Sequence, residues 1–205
     1  MKTALIVVDV QNDFCPGGAL AVPEGNLVVP IINGIAPHFD LVVATQDWHP
    51  ADHLSFAANH PGREVGEVVE LGGAPQVLWP VHCVQGSAGA EFATGLATER
   101  FARVFRKGTD RTVDSYSGFF DNDHAHATGL DAWLAEQGVE AVTVCGLATD
   151  YCVKFTALDA HALGLPTTLV RDACRGVNLA PGDAERATAE MAAAGVTIVD
   201  SGELG

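Results

Sequence analysis

The chain has 205 residues and a net charge of −15, because 26 Asp and Glu outnumber 11 Lys and Arg. This length suits one α/β domain, over residues 1–205, with a sizeable core. The negative charge argues against nucleic acid or an anionic membrane as a partner, since both bind basic surfaces. No apolar run approaches the roughly 18 residues that a membrane-spanning helix needs.

The N-terminus enters an apolar strand almost at once and has no signal-peptide pattern, so we expect a cytoplasmic protein. The chain has 5 cysteines and no Cys-x-x-Cys pair, which argues against a structural zinc ribbon and a thioredoxin-like site. In a reducing compartment we therefore expect free thiols.

Apolar runs and helical patterns alternate along the chain. A continuous apolar run over 3–10 predicts a central parallel strand, and spaced aliphatic residues predict a helix over about 26–38. Later strands are predicted over 41–45, 102–106, 139–145, 167–170 and 196–199. Later helices are predicted over 130–137, from Cys152 to Gly164, and over about 182–194.

Two long segments, 50–89 and 110–126, show little periodicity, and 88–97 is open to a short helix. Irregular segments of this length are usually functional or contain short elements. The alternation elsewhere predicts an α/β fold with three α-β-α layers around a mostly parallel, doubly wound sheet.

Reactive side chains follow four of the predicted strands. Asp9, Asp47 and Lys107 each lie near a strand end, and the turn Gly146–Cys152 follows another strand. Ligand sites in open α/β sheets lie outside the carboxyl ends of the strands. We therefore expect these groups to meet at one edge of the sheet, although a single Asp there is more often a turn or capping residue.

Cys152 lies in the first turn of the helix that follows a predicted strand. Thr149 or Asp150 is a candidate cap, and the free amides would lower the pKa of the thiol and bind a negatively charged oxygen. Asp9 could accept the thiol proton and Lys107 could stabilise the thiolate. The alternatives are a Cys152 that is one more buried apolar residue and a Lys107 that is solvated.

Asp47 and His49 are separated by one residue, so in an extended segment their side chains point the same way. With His82 they make two imidazoles and one carboxylate, which suits Fe(II), Mn(II) or Zn(II) and leaves positions for water or substrate. A chain with 8 histidines also produces such spacings by chance. His53 and His60 remain open as ligands, as neighbours of the ligands or as surface residues.

Three aromatic residues, Phe14, Trp79 and Tyr116, lie in irregular segments. They could line a pocket for a flat ring, or they could attach long loops to the body of the protein. The residues themselves leave both interpretations open.

Six segments carry a resemblance to a known family: VDVQNDF at 8–14, ATQDWHPADHLSFAANH at 44–60, LWPVHCVQGSAGA at 78–90, FRKGTD at 105–110, DSYSGFF at 114–120 and VCGLATDYCV at 144–153. In order and spacing they resemble the nicotinamidase (pyrazinamidase) family of the isochorismatase-like cysteine hydrolases. The DWHP and WPVHC motifs are the specific part. Isochorismatases and carbamoyl-amide hydrolases share the Asp, Lys and Cys but generally lack the metal set.

The resemblance implies that Asp9 is the general base and acid, Lys107 the cation and Cys152 the nucleophile. It implies an oxyanion hole made by the backbone amides of Ala148 and Cys152, with a cis peptide between Leu147 and Ala148. The implied reaction is hydrolysis of nicotinamide to nicotinate and ammonia through a Cys thioester, in NAD salvage, with pyrazinamide as a further substrate.

The resemblance also implies one divalent metal ion, Zn, Fe or Mn, which Asp47, His49 and His82 hold and which binds the pyridine nitrogen. His53 would lie beside this set or act as a fourth ligand. The ring pocket would be lined by Phe14, Trp79 and Tyr116. Two alternatives are a metal-independent hydrolase of the same superfamily and a non-catalytic metal or ligand sensor, and a homo-oligomer stays open.

Overall fold

The computed structural model of the protein describes residues 1–71 and 74–204. Within them, the strands are β1 Thr3–Val8, β2 Leu41–Asp47, β3 Val68–Leu71, β4 Ala74–Val77, β5 Arg103–Lys107, β6 Ala141–Leu147, β7 Thr167–Arg175 and β8 Thr197–Val199. The α-helices are α1 Val28–Ile35, α2 Leu130–Glu136, α3 Lys154–Ala162 and α4 Asp183–Ala194.

The main sheet has six strands in the order β5-β2-β1-β6-β7-β8, and each neighbouring pair is parallel. The chain runs outward from β1 to one edge and then returns to β6 and runs outward to the other edge. The prediction of a mostly parallel, doubly wound sheet is therefore confirmed. The point where the order reverses lies between β1 and β6, which is where such sheets bind ligands.

The helices cover both faces of the sheet. Crossovers between parallel strands are right-handed, so the direction of each crossover decides which face its helix covers. The β1–α1–β2 crossover runs towards β5, whereas the β6–α3–β7 and β7–α4–β8 crossovers run towards β8. Helix α1 therefore lies on one face, and α3 and α4 lie on the other. In agreement, α3 and α4 pack against each other. The three-layer α-β-α prediction is confirmed.

The core centres on β1, whose residues from Ala4 to Val8 are fully buried. Each helix buries residues of one face against the sheet or a neighbouring helix. In α1 the buried residues are Val28, Val29, Ile32 and Ile35, at the spacing of one helical face. This burial on both faces explains why β1 and β6 are continuous apolar runs in the sequence.

The structure corrects several predicted boundaries. The helix over about 26–38 is shorter, because 3₁₀ turns replace its first and last residues. The strand that begins at Thr167 extends to Arg175, through a register shift opposite β6. The possible helix in 88–97 is a single 3₁₀ turn, Ala88–Ala90.

The irregular segment 50–89 contains the antiparallel hairpin of β3 and β4. Its residues Gly72 and Gly73 lie outside the described residues. Among the helices of the described residues, none combines the length and apolar character that crossing a bilayer requires.

We expect Gly146→Ala to lower the free energy of unfolding by about 3 kcal/mol or more, because β6 approaches β1 closely at this residue. Gly146 has φ +120°, and an added Cβ would overlap the carbonyl oxygen of Val8. Gly138→Ala is the matched control, since Gly138 also has positive φ (+69°) but open space around its Cα. It should cost about 1 kcal/mol. Equal losses in urea unfolding would contradict the packing argument.

Candidate active site

Four neighbouring strands bring the predicted reactive groups together. The strands β5, β2, β1 and β6 are adjacent, and at or just beyond their carboxyl ends lie Lys107, Asp47, Asp9 and Cys152. One carboxylate oxygen each of Asp9 and Asp47 and the Sγ of Cys152 lie within 4.8 Å of one another. The expectation that these side chains meet at one edge of the sheet is therefore borne out.

Lys107 is the central contact of this group, and its side chain is fully buried. Its Nζ lies 2.8 Å from Asp9 Oδ2, 2.6 Å from Asp47 Oδ1 and 3.4 Å from Cys152 Sγ. It also donates to the backbone carbonyl of Ser115 at 2.7 Å. Burial disfavours the ammonium, but the two carboxylates outweigh this effect and hold the pKa of Lys107 well above its usual value.

Asp9 is held at both carboxylate oxygens, by a hydrogen bond at Oδ1 and by an ion pair at Oδ2. Thr45 donates a hydrogen bond to Oδ1 at 2.6 Å. Among the described residues, Oδ2 has no hydrogen-bond partner of good geometry, although the Lys107 ammonium is near it. Burial raises the pKa of Asp9 to about 6, against the opposing effect of Lys107. Asp9 can therefore take up and release a proton near neutral pH.

Cys152 lies in a π-helical turn, Thr149–Val153, that precedes α3. The prediction of Thr149 or Asp150 as the cap is wrong, because both lie inside the turn, whose N-cap is Ala148. Asp150 instead accepts hydrogen bonds from the backbone amides of Val177 and Asn178 at 2.9 and 2.7 Å. The carboxylate thus ties the turn to the loop after β7. A wider π turn re-aims the side chains of its residues, and such turns often occur at functional sites.

The peptide bond between Leu147 and Ala148 is cis, as the sequence resemblance implies. The carbonyl of Ala148 accepts hydrogen bonds from the amides of Tyr151 and Val153, both at 3.1 Å. Within residues 1–71 and 74–204, the Ala148 amide donates to no protein acceptor, so it is available to a ligand oxygen.

The prediction of a lowered thiol pKa is wrong. Burial raises the pKa of Cys152 well above its usual value, and Asp9 adds to this effect, while Lys107 opposes it. Loss of hydration therefore outweighs the attraction of the Lys107 ammonium for the thiolate. The thiol keeps its proton until a base removes it, and Asp9 is a carboxylate within 4.8 Å of the sulfur.

Asp47, His49 and His82 form a buried group beside these residues. The Nε2 atoms of His49 and His82 lie 3.5 and 3.8 Å from Asp47 Oδ2. Each Nδ1 lies 2.8 Å from a backbone carbonyl, that of Gly108 for His49 and that of Pro80 for His82. A carbonyl only accepts, so each ring carries its proton on Nδ1 and directs the free Nε2 towards Asp47.

The charges of this group favour a cation between the three side chains. Burial alone would raise the pKa of Asp47, but Lys107 and His49 hold it well below its usual range. Burial lowers the pKa of His49, and Asp47 reverses this to a net rise. Burial lowers the pKa of His82 to about 4. Asp47 is thus ionised and His82 is neutral, so the space between the three side chains attracts a cation.

His53 lies outside the group of Asp47, His49 and His82. Its Nδ1 is 2.7 Å from the hydroxyl of Ser55 and accepts from the Ser55 amide, and its Nε2 lies 3.3 Å from the carbonyl of Val113. Both ring nitrogens thus have protein partners. His60 donates its Nε2 proton to the carbonyl of Leu54 at 2.7 Å and does not reach the group either.

One small pocket joins the thiol to the metal-binding candidates. Its lining includes Cys152, Ala148, Asp47 and His82, together with all three predicted aromatics, Phe14, Trp79 and Tyr116. Sequence reasoning missed four further lining residues, which are Leu20, Asp114, Tyr151 and Val177. Asp114 and Tyr151 lie within the quoted motifs, so their position was a usable signal, whereas Leu20 and Val177 carry none.

A second concavity of about 380 Å³ has Lys107 among its lining residues. It is lined by loop residues such as Thr109, Asp110 and His126, but not by Cys152 or His82. The smaller pocket is therefore the candidate active site, because it alone of the two contains the thiol.

Comparison with known proteins places the chain in a family. Residues 3–203 match the model of the isochorismatase domain. The chain belongs to the isochorismatase family. The nicotinamidase of Escherichia coli (strain K12) is 50% identical over 199 residues, which cover 95% of this chain and 93% of that one.

Solved structures of family relatives share the fold. An Acinetobacter baumanii nicotinamidase and pyrazinamidase has a TM-score of 0.96 at 48% identity, over 100% of this chain and 98% of that chain. A pyrazinamidase from Pyrococcus horikoshii, solved in complex with zinc, has a TM-score of 0.79 at 42% identity, over 98% of this chain and 99% of that chain.

In this isochorismatase-family chain we expect Gly108→Ala to weaken zinc binding by at least about tenfold, because it displaces a candidate ligand. Gly108 has φ +62°, and an added Cβ would lie 2.6 Å from His49 Nδ1. Zinc affinity is measured by competition with a chromophoric chelator. Gly62→Ala, at φ +77° with open space, is the control. Equal zinc affinity of the two variants would contradict the role of Gly108 in placing His49.

Proposed function

We propose that this chain is a nicotinamidase, which hydrolyses nicotinamide to nicotinate and ammonia through a thioester on Cys152. Pyrazinamide, which has a ring of the same size, would be a further substrate, and the reaction would serve NAD salvage. The names of the relatives support the substrate. The observation that carries the proposal is that Cys152 lines the same pocket as Asp47 and His82, with Asp9 and Lys107 next to its thiol.

The first step uses the Asp9 carboxylate, whose Oδ2 has no hydrogen-bond partner of good geometry among the described residues. Its Oδ2 accepts the proton of the Cys152 thiol, and the sulfur then attacks the carboxamide carbon of the substrate. Lys107, which lies 3.4 Å from Sγ, stabilises the developing thiolate. Because the thiol becomes a thiolate only when Asp9 takes its proton, Cys152 is a nucleophile only while Asp9 is ionised and next to it.

The negative oxygen of the tetrahedral intermediate needs hydrogen-bond donors. The amides of Ala148 and Cys152 are the proposed donors, and one such donor is typically worth roughly 10²–10³ in rate. The free Ala148 amide supports this assignment.

Collapse of the intermediate breaks the carbon–nitrogen bond. Asp9 returns its proton to the leaving nitrogen, so that ammonia departs and the acyl group stays on Cys152. A water then attacks the thioester, Asp9 accepts its proton, and the carbon–sulfur bond breaks to release nicotinate. Asp9 finally returns the proton to the thiolate.

The group of Asp47, His49 and His82 fits a divalent metal ion, because it offers one carboxylate oxygen and two imidazole nitrogens whose partners already fix their tautomers. These three residues would hold the ion, and the zinc in the Pyrococcus horikoshii relative supports this assignment. A bound Zn, Fe or Mn ion would supply a Lewis-acid contact for the ring nitrogen. The aromatic walls, Phe14, Trp79 and Tyr116, would then fix the plane of the ring.

We expect the purified protein to release ammonia from nicotinamide and to lose this activity on chelation. Zn(II), Fe(II) or Mn(II) should restore it, because the proposed ligands are all protein side chains that remain in place. A coupled ammonia assay measures both, and chelator saturated with zinc beforehand is the control. Activity that survives chelation would favour the metal-independent alternative, and no activity with any metal would refute the nicotinamidase proposal.

We expect Cys152→Ala to lower turnover by at least about 10⁴-fold, because it removes the nucleophile. Zinc affinity should be unchanged, since Asp47, His49 and His82 remain. Cys15→Ala is the control, because Cys15 is half-buried and lies outside the pocket lining. Ammonia release by Cys152→Ala at the rate of the Cys15 variant would rule out the thioester mechanism.

A further inference from the structure

The β3–β4 hairpin lies outside the main sheet and forms a two-stranded sheet of its own. Among the described residues of β3 and β4, Gln76 is the one whose side chain hydrogen-bonds to the chain beyond the hairpin. The side-chain hydrogen bonds from the two strands of the hairpin to the rest of the protein thus depend on the amide of Gln76.

Gln76 is only 4% exposed, which is unusual for an uncharged polar residue on a surface hairpin. Its Nε2 lies 2.8 Å from its neighbour's carbonyl (Val77), 3.0 Å from Asp114 Oδ2 and 3.1 Å from the Tyr116 hydroxyl. Carbonyl and carboxylate oxygens only accept, so the amide must present its NH₂ group to them. The orientation of Gln76 is therefore fixed by its partners.

Both of the partners beyond the hairpin, Asp114 and Tyr116, line the pocket that contains Cys152, whereas Gln76 does not. The Tyr116 hydroxyl also accepts a hydrogen bond from Trp79 Nε1 at 3.2 Å. Trp79 and Tyr116, two aromatic residues of the pocket lining, are thus hydrogen-bonded to each other. Gln76 bonds to the same Tyr116 hydroxyl from outside the pocket lining.

We propose that Gln76 is a positioning residue, which sets the affinity of the pocket for its ring substrate by holding Tyr116 and Asp114 in place. The inference rests on the proposed nicotinamidase function. The side-chain hydrogen bonds of Gln76 go to Val77, Asp114 and Tyr116 and not to Asp9, Lys107 or Cys152, so its loss should change ring binding and not the chemical step.

Loss of the amide hydrogens leaves a buried carboxylate oxygen of Asp114 without this donor, which costs more than the hydrogen bond itself contributes. The carboxylate then shifts towards other donors or admits water, and the Tyr116 ring loses one of its two hydroxyl contacts. The wall of the pocket becomes less well ordered before the substrate binds, and binding must restore the order.

The test is Gln76→Met, which keeps the length of the side chain and removes its hydrogen-bonding atoms. We expect the KM for nicotinamide to rise by about tenfold, while kcat stays within about twofold of the wild type. Glu70→Gln, at an exposed position of the same hairpin, is the control and should match the wild type. Where Gln76→Met fails to fold in a thermal melt, Gln76→Asn replaces it, with the same expectation, because its amide is too short to reach both partners.

A double-mutant cycle separates this role from a general loss of packing. If Gln76 acts through Tyr116 and Asp114, then Gln76→Met should add much less than its tenfold effect on KM in a Tyr116→Phe or an Asp114→Asn background. Multiplied single effects in both backgrounds, an unchanged KM in Gln76→Met, or a loss of kcat alone would each overturn the inference.

Calorimetric binding of nicotinate tests the same point without turnover. We expect the affinity of Gln76→Met for nicotinate to be about tenfold weaker than that of the wild type, and equal affinity would overturn the inference. Failure of the wild type to release ammonia would instead count against the proposed function, so the two failures are distinguishable.

Discussion

The buried ammonium of Lys107 is the interaction on which the candidate site depends. Two carboxylates, Asp9 and Asp47, lie within 2.8 Å of its Nζ, and neither could be buried so close to the other without a cation between them. Lys107 lies at the end of β5, which is the edge strand of the sheet and pairs with β2 at Asp47. The sheet order therefore brings the cation to the carboxylates, and the charges in turn hold the strand ends together.

Although both lie next to the Lys107 ammonium, the carboxylates of Asp9 and Asp47 have pKa values that shift in opposite directions. The pKa of Asp47 falls below its usual range, because His49 assists Lys107, whereas burial raises the pKa of Asp9 to about 6. Two carboxylates whose pKa values are pushed apart have different chemical uses. The ionised Asp47 suits a metal ligand, and Asp9, which titrates near neutrality, suits a group that accepts and returns the proton of Cys152.

Hydrogen bonds from the surrounding loops orient the side chains around the pocket. Backbone carbonyls fix the tautomers of His49 and His82, so their Nε2 atoms are directed towards Asp47. The aromatic wall is arranged in the same way, since Trp79 and Gln76 both bond to the Tyr116 hydroxyl. The irregular segments thus hold the site through hydrogen bonds from side chains to backbone groups and to other side chains. Such bonds can keep a site on loops rigid without regular secondary structure.

Much of this protein follows from local patterns in its sequence. Apolar runs and helical spacing predict the doubly wound sheet, because burial on two faces imposes them residue by residue. Asp9, Asp47, Lys107 and Cys152 could be picked out because each comes near the end of such a run, and parallel strands end at one edge. The sequence also predicts the aromatic lining through motifs that resemble a known family.

The remaining features depend on contacts between distant segments, which local patterns do not encode. Gln76 bonds to Asp114 across 38 positions of sequence, and Thr45 bonds to Asp9 across 36. The raised pKa of the Cys152 thiol results from burial by the whole fold, and the π turn around it replaced the predicted helix start and its cap. The sequence by itself determined which reactive groups reach the site, whereas the tertiary structure decided their protonation and orientation, because both depend on desolvation and on partners brought in by other segments.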